Sequence, residues 1–291
     1  MTSEDFLKLC RQKNDRGFED IKNYIDNKGK FKTIKGTLNT SPLHLAVRSD
    51  SIKVVQLLID QGMNPMVRDK TKLGKTPIVD AIERGFVDIA LILLKSTKLK
   101  PLKVKKRYNE TSALGMNSKI SINDYKKILS TIIEVGFDVE LLDNQNHTVL
   151  TRAIKNKHID RVKVALELGL NPNGERNALS VAFNNDGYDL ETIRLLLDNG
   201  AKLVIDSNNN WESFNALHAA HYYNDSEAFG LMIKEYNALE TIDEETLDEI
   251  ISYKEIEFLQ YLWEIPKVHD FILKNNLEEA FPKEIRELFV F

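Results

Sequence analysis

The hydrophobic positions of this sequence recur in short paired segments. The clearest pair starts at residues 41–47, where a serine suited to capping a helix precedes a proline suited to the first helical position. The leucine, alanine and valine that follow share one face at helical spacing. A second apolar segment, residues 54–62, ends on a glycine that can take the left-handed conformation. The pattern predicts two short helices, neither long enough to bury its apolar face alone.

Copies of this unit follow one another along the chain. Helix starts equivalent to Leu43 occur at Ile78, Leu114, Leu150, Leu179 and Leu217. A second apolar segment follows each of them, and several of these segments end on glycine. We expect neighbouring copies to stack and to bury a continuous core, as repeat architectures do.

On these residues the sequence resembles the ankyrin-repeat family, whose period is ~33 residues. The resemblance is strongest in residues 41–69, 75–94 and 147–205. It implies an all-α ankyrin-repeat solenoid of about 7–8 helix-turn-helix units, including degenerate N- and C-terminal caps.

The phase of the repeats predicts one domain across residues 1–291. Its expected parts are an N-terminal capping repeat at 1–35, six main repeats at 36–240, and a degenerate repeat with a C-terminal cap at 241–291. Two departures from the repeat stand out, an insertion around residues 118–123 and a long polar turn at residues 206–210.

Composition narrows the class of protein without naming a partner. The chain is 42% hydrophobic with a net charge of −4, so its overall charge does not indicate a nucleic-acid or membrane partner. A single cysteine, Cys10, fits a reducing compartment, and the first residues lack the pattern of a secretory signal. We therefore expect a cytoplasmic protein without a membrane span, in the host cytoplasm if it is an effector.

No motif in the sequence predicts catalysis. The sequence lacks a phosphate-binding glycine loop, a nucleophile elbow and a zinc-protease motif, and its histidines have no metal-ligand spacing. The resemblance implies that His44 and His218 hydrogen-bond the neighbouring turn at the base of a first helix. We expect no catalytic residues, no metal and no cofactor.

An aromatic group in the sixth repeat is the clearest candidate for binding. It consists of Trp211, Phe214, His221, Tyr222 and Tyr223. In the ankyrin architecture, turn tips and first-helix ends line a concave groove that binds partner proteins, and Trp and Tyr are enriched at interface hot spots. Some of these rings could instead fill the space left by the longer turn, but we expect Tyr222 and Tyr223 to be exposed.

Basic residues form two further candidate binding sites. Arg48, Arg84 and Lys155 hold the equivalent groove positions in other repeats. A basic loop contains Lys98, Lys100, Lys103, Lys105, Lys106 and Arg107. That loop is either a dock for an acidic partner or nucleic acid, or a solvated connection between repeats. Apart from Tyr108 it lacks aromatic residues, so the stacking surface typical of single-strand binding is missing.

These observations favour a non-enzymatic module that binds another protein on its concave groove. The alternative is an effector or inhibitor, encoded by a virus or bacterium, that blocks a host or defence protein. That alternative rests on divergent repeats, on the lack of a recognisable second domain, and on a Lys-, Asn- and Ile-rich composition. Nucleic-acid binding through the basic loop is a weaker hypothesis, and an enzyme the weakest.

Overall fold

A computed structural model describes most of the chain. The described residues are 1–27, 29–97, 109–184, 189–205, 214–242, 246–247, 249–250, 255–263 and 283. Contacts between Cα atoms divide the chain into two units, Met1–Arg176 and Asn177–Phe291. The single domain expected across residues 1–291 stays a prediction.

The first unit is a stack of helix pairs. Its α-helices are α1 Ser3–Cys10, α2 Phe18–Asp26, α3 Pro42–Arg48, α4 Ile52–Asp60, α5 Pro77–Arg84, α6 Val87–Lys95, α7 Glu110–Met116, α8 Ile122–Glu134, α9 Val149–Lys155 and α10 Ile159–Glu167. The odd-numbered helices pack on one another in sequence order, as do the even-numbered ones. Two layers of helices therefore enclose the core, and the predicted all-α repeat stack is confirmed.

Local capping explains why the first helices begin where the pattern predicts. The Ser41 hydroxyl accepts a hydrogen bond from the His44 amide, and Pro42 occupies the first helical turn. Thr76 and Thr148 cap α5 and α9 in the same way. Each cap of this kind stabilises a helix by about 1 kcal/mol, because it satisfies an amide that has no partner within the helix.

The insertion predicted around residues 118–123 divides into a loop and a helix extension. Residues 118–121 connect α7 to α8, and Ser121 then caps α8 through the Asp124 amide. Because α8 is 13 residues long, the end of the expected insertion is helical. The prediction of an irregular connection there was right for the loop and wrong for residues 122–123.

The second unit continues the helix pairs and adds a small hairpin. Its elements are α11 Ala178–Phe183, α12 Leu190–Asp198, β1 Val204–Ile205, β2 Phe214–Asn215, α13 Ala216–Tyr222, α14 Ser226–Tyr236 and α15 Ile256–Trp263. Strands β1 and β2 pair antiparallel, with Val204 opposite Asn215 and Ile205 opposite Phe214. The long turn predicted before α13 is thus flanked by paired strands, while residues 206–213 lie outside the described residues.

Aromatic packing joins the last described helices. The rings of Phe229 on α14 and Phe258 on α15 meet edge to face with centroids 5.1 Å apart, and both side chains are buried. This packing extends the repeat stack past residue 240, as expected for a degenerate repeat. The terminal cap expected near the end of the chain falls almost entirely outside the described residues.

Candidate partner-binding groove

A groove of about 630 Å³ lies in the second unit, between the β1–β2 hairpin and the end of α13. We call it the aromatic groove. Its lining residues are Asn184, Val204, Ile205, Phe214, Asn215, His218, Ala219, Tyr222, Tyr223, Thr241 and Ile242. None of these is Lys, Arg, Asp or Glu, so the groove offers apolar, aromatic, amide and hydroxyl surface to a ligand.

Two adjacent tyrosines form one wall of the aromatic groove. Tyr222 is 73% exposed and Tyr223 is 42% exposed, which confirms the predicted exposure of both. Their rings are perpendicular, with centroids 5.1 Å apart. The Tyr223 hydroxyl donates a 2.6 Å hydrogen bond to Oδ1 of Asn184 at the end of α11. This contact restrains the aromatic pair before any partner arrives.

Phe214 lies at the base of the hairpin, where it is half-buried. Its ring centroid is 6.1 Å from that of Phe183, a buried side chain of α11. Phe214 therefore fills space beneath the hairpin and also lines the groove. It combines the two roles considered for the aromatic group, which are packing under the long turn and partner binding. Trp211 lies outside the described residues.

His221 is turned toward the following helices. Its Nε2 is 2.7 Å from Oε2 of Glu255, and its Nδ1 is 3.5 Å from Oε2 of Glu249. The ring also meets Phe258 edge to face, and only 9% of the side chain is exposed. His221 does not line the aromatic groove. Helix periodicity explains this, because adjacent positions on α13 point in different directions.

The two first-helix histidines make the structural contacts that the sequence predicts. His44 accepts a hydrogen bond at Nδ1 from the Ser41 amide and donates from Nε2 to the Lys75 carbonyl, at 3.0 Å, in the next turn. Burial is the main cause that lowers the pKa of His44, so the ring is neutral. His218 also contacts the following repeat, but in a different way, since its Nδ1 lies 3.1 Å from the side-chain Oγ1 of Thr246.

Arg48 is held between two carboxylates. Its Nη2 donates to Oδ2 of Asp69 at 2.9 Å, and its Nε donates to Oδ2 of Asp80 at 2.7 Å. The side chain is only 27% exposed. Arg48 therefore anchors the turn before α5, whereas its position in the repeat had led us to expect that the charge faces a partner.

A related anchor joins α9 to the turn that precedes it. Arg152 on α9 donates from Nε and Nη2 to Oδ2 of Asp143, and from Nη1 to Gln145 at 2.7 Å. Oδ1 of Asp143 accepts from the amides of Gln145 and His147 within the turn. An aspartate shortly before the helix cap, followed by an arginine within the same helix, is the sequence signal that could have revealed the Asp143–Arg152 anchor. That signal does not mark Arg48, which lies on α3, in the repeat before its two aspartates.

The remaining predicted cations are distributed along the first unit. Arg84 is exposed at the end of α5 and lines a second groove in that unit. Lys155 is exposed at the end of α9, near His147. All six cations of the basic loop lie outside the described residues, namely Lys98, Lys100, Lys103, Lys105, Lys106 and Arg107.

Metal sites and membrane spans are absent from the described part of the chain. There, no three His, Cys, Asp or Glu side chains converge as metal ligands would. No helix within the described ranges has the length and apolar character needed to cross a membrane.

Comparison with known proteins connects this architecture to a family. The sequence pattern of ankyrin repeats (3 copies) matches residues 9–103 and 118–207. The ankyrin repeat domain of human ASB11 has a similar fold, with a TM-score of 0.51 at 20% identity, covering 74% of this chain and 89% of that one.

Several curated proteins are similar over part of their length. E3 ubiquitin-protein ligase KEG of Arabidopsis thaliana is 30% identical over 130 residues, covering 44% of this chain and 8% of that protein. The B-cell lymphoma 3 protein homolog of Mus musculus is 26% identical over 171 residues, covering 58% of this chain and 37% of that protein. Putative ankyrin repeat protein R598 of Acanthamoeba polyphaga mimivirus is 33% identical over 103 residues, covering 33% of this chain and 31% of that protein.

This chain therefore spans well under half the length of each of these relatives. Ankyrin repeats serve as protein–protein interaction modules, and the fold is generally non-enzymatic. From the stacked helix pairs, the capped first helices and the matched repeats, we conclude that the chain belongs to the ankyrin-repeat family.

Proposed function

We propose that this chain is a non-enzymatic interaction module whose second unit binds a segment of a partner protein in the aromatic groove. The observation that carries the proposal is the exposure of Tyr222 at the wall of a groove whose described lining residues are all uncharged. Tyrosine suits this role because it buries a large area while losing little side-chain freedom.

The chemistry of the groove selects the kind of segment. Val204, Ile205 and Phe214 offer apolar contact, and Asn215 and His218 offer hydrogen-bonding groups. A charged side chain placed there would lose its hydration without gaining an opposite charge, which is unfavourable. The segment is therefore expected to present an apolar anchor flanked by uncharged polar groups.

Identifying the partner and testing the groove are one experiment in two stages. Affinity purification from the native cell followed by mass spectrometry supplies candidate partners. Each is then tested against the wild type and against a variant carrying Tyr222→Ala and Tyr223→Ala. The matched control is Ile122→Ala, which removes an exposed apolar side chain at the start of α8 in the first unit. Loss of one partner from the tyrosine variant alone supports the proposal, and unchanged binding of every partner contradicts it.

A blocking role is the second candidate function. It is supported by the similarity to a mimivirus ankyrin-repeat protein, a relation that covers 33% of this chain. If the chain is such an effector, saturating amounts should abolish the activity of the purified partner. A partner whose activity is unchanged at saturation would leave recruitment or scaffolding as the function.

Two finer proposals have direct tests. Nucleic-acid binding through the basic loop at residues 95–107 would give an affinity that falls steeply with salt. Absence of binding to duplex and single-stranded DNA at low salt would contradict this proposal. We also propose a cytoplasmic location, supported by the single cysteine Cys10 and tested by imaging a fluorescent fusion in the native cell.

A further inference from the structure

The first unit carries a second groove, which differs in chemistry from the aromatic groove. It measures about 450 Å³ and is lined by Arg48, Thr71, Lys72, Leu73, Lys75, Asp80 and Arg84. We call it the basic groove. Leu73 is 40% exposed at the tip of the turn between α4 and α5. Leu73 thus adds exposed apolar surface to a groove that is otherwise lined by polar and charged side chains.

The anionic groups near this groove are engaged by two cations of the same unit, one of which is shared by two carboxylates. The carboxylates of Asp69 and Asp80 both bind Arg48, and these two side chains are almost fully buried. Glu83 forms a 2.6 Å ion pair with Lys75. The carboxylates closest to the groove therefore face cations of the same unit.

Three exposed cations are left without an anion. Lys70, Lys72 and Arg84 are exposed, and their side chains have no ion-pair partner among the residues that the structure describes. Because carboxylates around them are satisfied elsewhere, these three set the local potential at the surface. A positive potential attracts anionic partners and speeds their association.

The turn that presents Leu73 is fixed in place. Oδ1 of Asp69 accepts hydrogen bonds from the Thr71 amide at 3.1 Å, the Thr71 hydroxyl at 2.6 Å and the Lys75 amide at 3.0 Å. Gly74 adopts a φ of +60°, which closes the turn. A restrained turn loses little conformational entropy when a partner binds.

The apolar and cationic character continues into the next repeat. Another groove of the first unit has Glu83, Met116 and Lys119 among its lining residues. Met116 is 49% exposed and Lys119 is exposed as well. Flexible methionine side chains adapt to varied apolar partners.

We propose that the basic groove binds an acidic segment of a partner protein that places an apolar side chain on Leu73. Carboxylates of the segment pair with Lys70, Lys72 and Arg84. A protein segment fits this surface better than nucleic acid does, because Leu73 offers apolar contact and none of the described residues that line the groove is an aromatic residue on which a base could stack. The basic groove is a different site from the aromatic groove. The proposal for it does not depend on the function proposed for the aromatic groove.

A display library tests the proposal even while the natural partner is unidentified. The full chain is panned against random peptides of about twelve residues, a length typical of extended recognition segments. Enriched peptides are then measured by fluorescence anisotropy against the wild type and three variants. The first carries Lys70→Glu, Lys72→Glu and Arg84→Glu, and the second is Leu73→Ala.

The third variant is a matched control that makes the same charge change on the other layer of helices. It carries Lys22→Glu, Lys53→Glu and Lys127→Glu, all exposed positions on α2, α4 and α8. Circular dichroism establishes that each variant is folded. The double variant with Tyr222→Ala and Tyr223→Ala is included to distinguish the two grooves.

The expected result is a set of peptides rich in Asp and Glu that also contain Leu, Ile, Met or Phe. Their affinity should fall about tenfold or more with the basic-groove charge reversal, fall with Leu73→Ala, and change little in the control and tyrosine variants. The proposal is overturned if no peptide depends on this groove, if dependent peptides are neutral or basic, or if the matched control weakens them equally. It is also overturned if a single-stranded DNA oligonucleotide binds in their place and loses binding with the same charge reversal.

Discussion

The hydroxyl of Tyr223 donates a 2.6 Å hydrogen bond to Oδ1 of Asn184, so the end of α13 is tied to the end of α11. The neighbouring Tyr222 makes no such tie and keeps 73% of its surface exposed. Tyr223 therefore makes a hydrogen bond to another helix, whereas the Tyr222 ring packs edge to face on Tyr223 at the surface. This division of roles can be measured in the absence of a partner.

We expect the two tyrosines to differ in their effect on stability. Tyr223→Phe removes one exposed hydrogen bond and should lower the free energy of unfolding by at most about 1 kcal/mol. Tyr222→Ala should change it by less than about 0.5 kcal/mol, because the ring is largely in solvent. Urea denaturation followed by circular dichroism measures both. A loss of several kcal/mol with Tyr222→Ala would mean that this ring belongs to the core.

The Arg152–Asp143 pair should be far more costly to break than an exposed pair. Both side chains are less than a tenth exposed, so Arg152→Met leaves a buried carboxylate without its cation. We expect a loss of about 3–5 kcal/mol in the free energy of unfolding.

A matched control for that substitution is Arg194→Met. Arg194 forms a two-pronged ion pair with Glu235, but both side chains are more than two-fifths exposed. Its loss should lower the free energy of unfolding far less than Arg152→Met does, because water screens the exposed interaction. Equal costs for the two substitutions would contradict burial as the source of the difference.

Acid should destabilise the first unit before its carboxylates titrate. Burial, followed by the charge of Arg152, lowers the pKa of His147 to about 4 from an ordinary value of 6.5, and burial also lowers that of His44. Between those pH values the unfolded chain binds more protons than the folded chain. The free energy of unfolding is therefore highest above about pH 6.5 and declines as the pH falls toward about 4.

The urea midpoint at several pH values from about 7 to about 5 measures this dependence. His147→Gln should reduce the slope, because the substituted side chain does not titrate. Lys155 and Arg176 also lie near His147 and oppose its protonation, whereas Asp143 favours it. A slope unchanged by His147→Gln would show that this histidine contributes nothing to the acid response.

The Cys10 thiol should be unreactive while the first helix pair is folded. Its side chain is fully buried on α1, and burial raises the pKa of the thiol to about 12. Because the thiolate is the reactive form, we expect negligible labelling by a thiol reagent near pH 8 and rapid labelling in urea. Rapid labelling without denaturant would show that the α1–α2 pair opens readily.

The helix starts were predictable from the sequence because they depend on local chemistry. Ser41 and Thr76 cap helices through atoms three residues away, so their roles can be recognised from spacing alone. The contact of His44 with the Lys75 carbonyl joins two repeats, and only the family resemblance implied it.

The roles of Arg48 and His221 depended on tertiary contacts that the spacing does not specify. Arg48 was expected to face a partner, but Asp69 and Asp80 approach it from a turn and a neighbouring helix. His221 was expected beside Tyr222, but Glu255 and a buried phenylalanine surround it. Exposure of the tyrosines was predictable because the family resemblance places the end of each first helix at the concave groove.

Binding in the aromatic groove is tested most directly by the affinity of a purified partner for the wild type and for Tyr222→Ala, measured by isothermal titration calorimetry at low and high salt. We predict that Tyr222→Ala weakens binding about thirtyfold, as expected when a hot-spot tyrosine is removed. We also predict that the wild-type affinity changes little between about 0.05 M and about 0.5 M salt, because no Lys, Arg, Asp or Glu is among the described residues that line the aromatic groove. Unchanged affinity in Tyr222→Ala, together with a steep salt dependence, would contradict groove binding and move the partner site away from the aromatic groove.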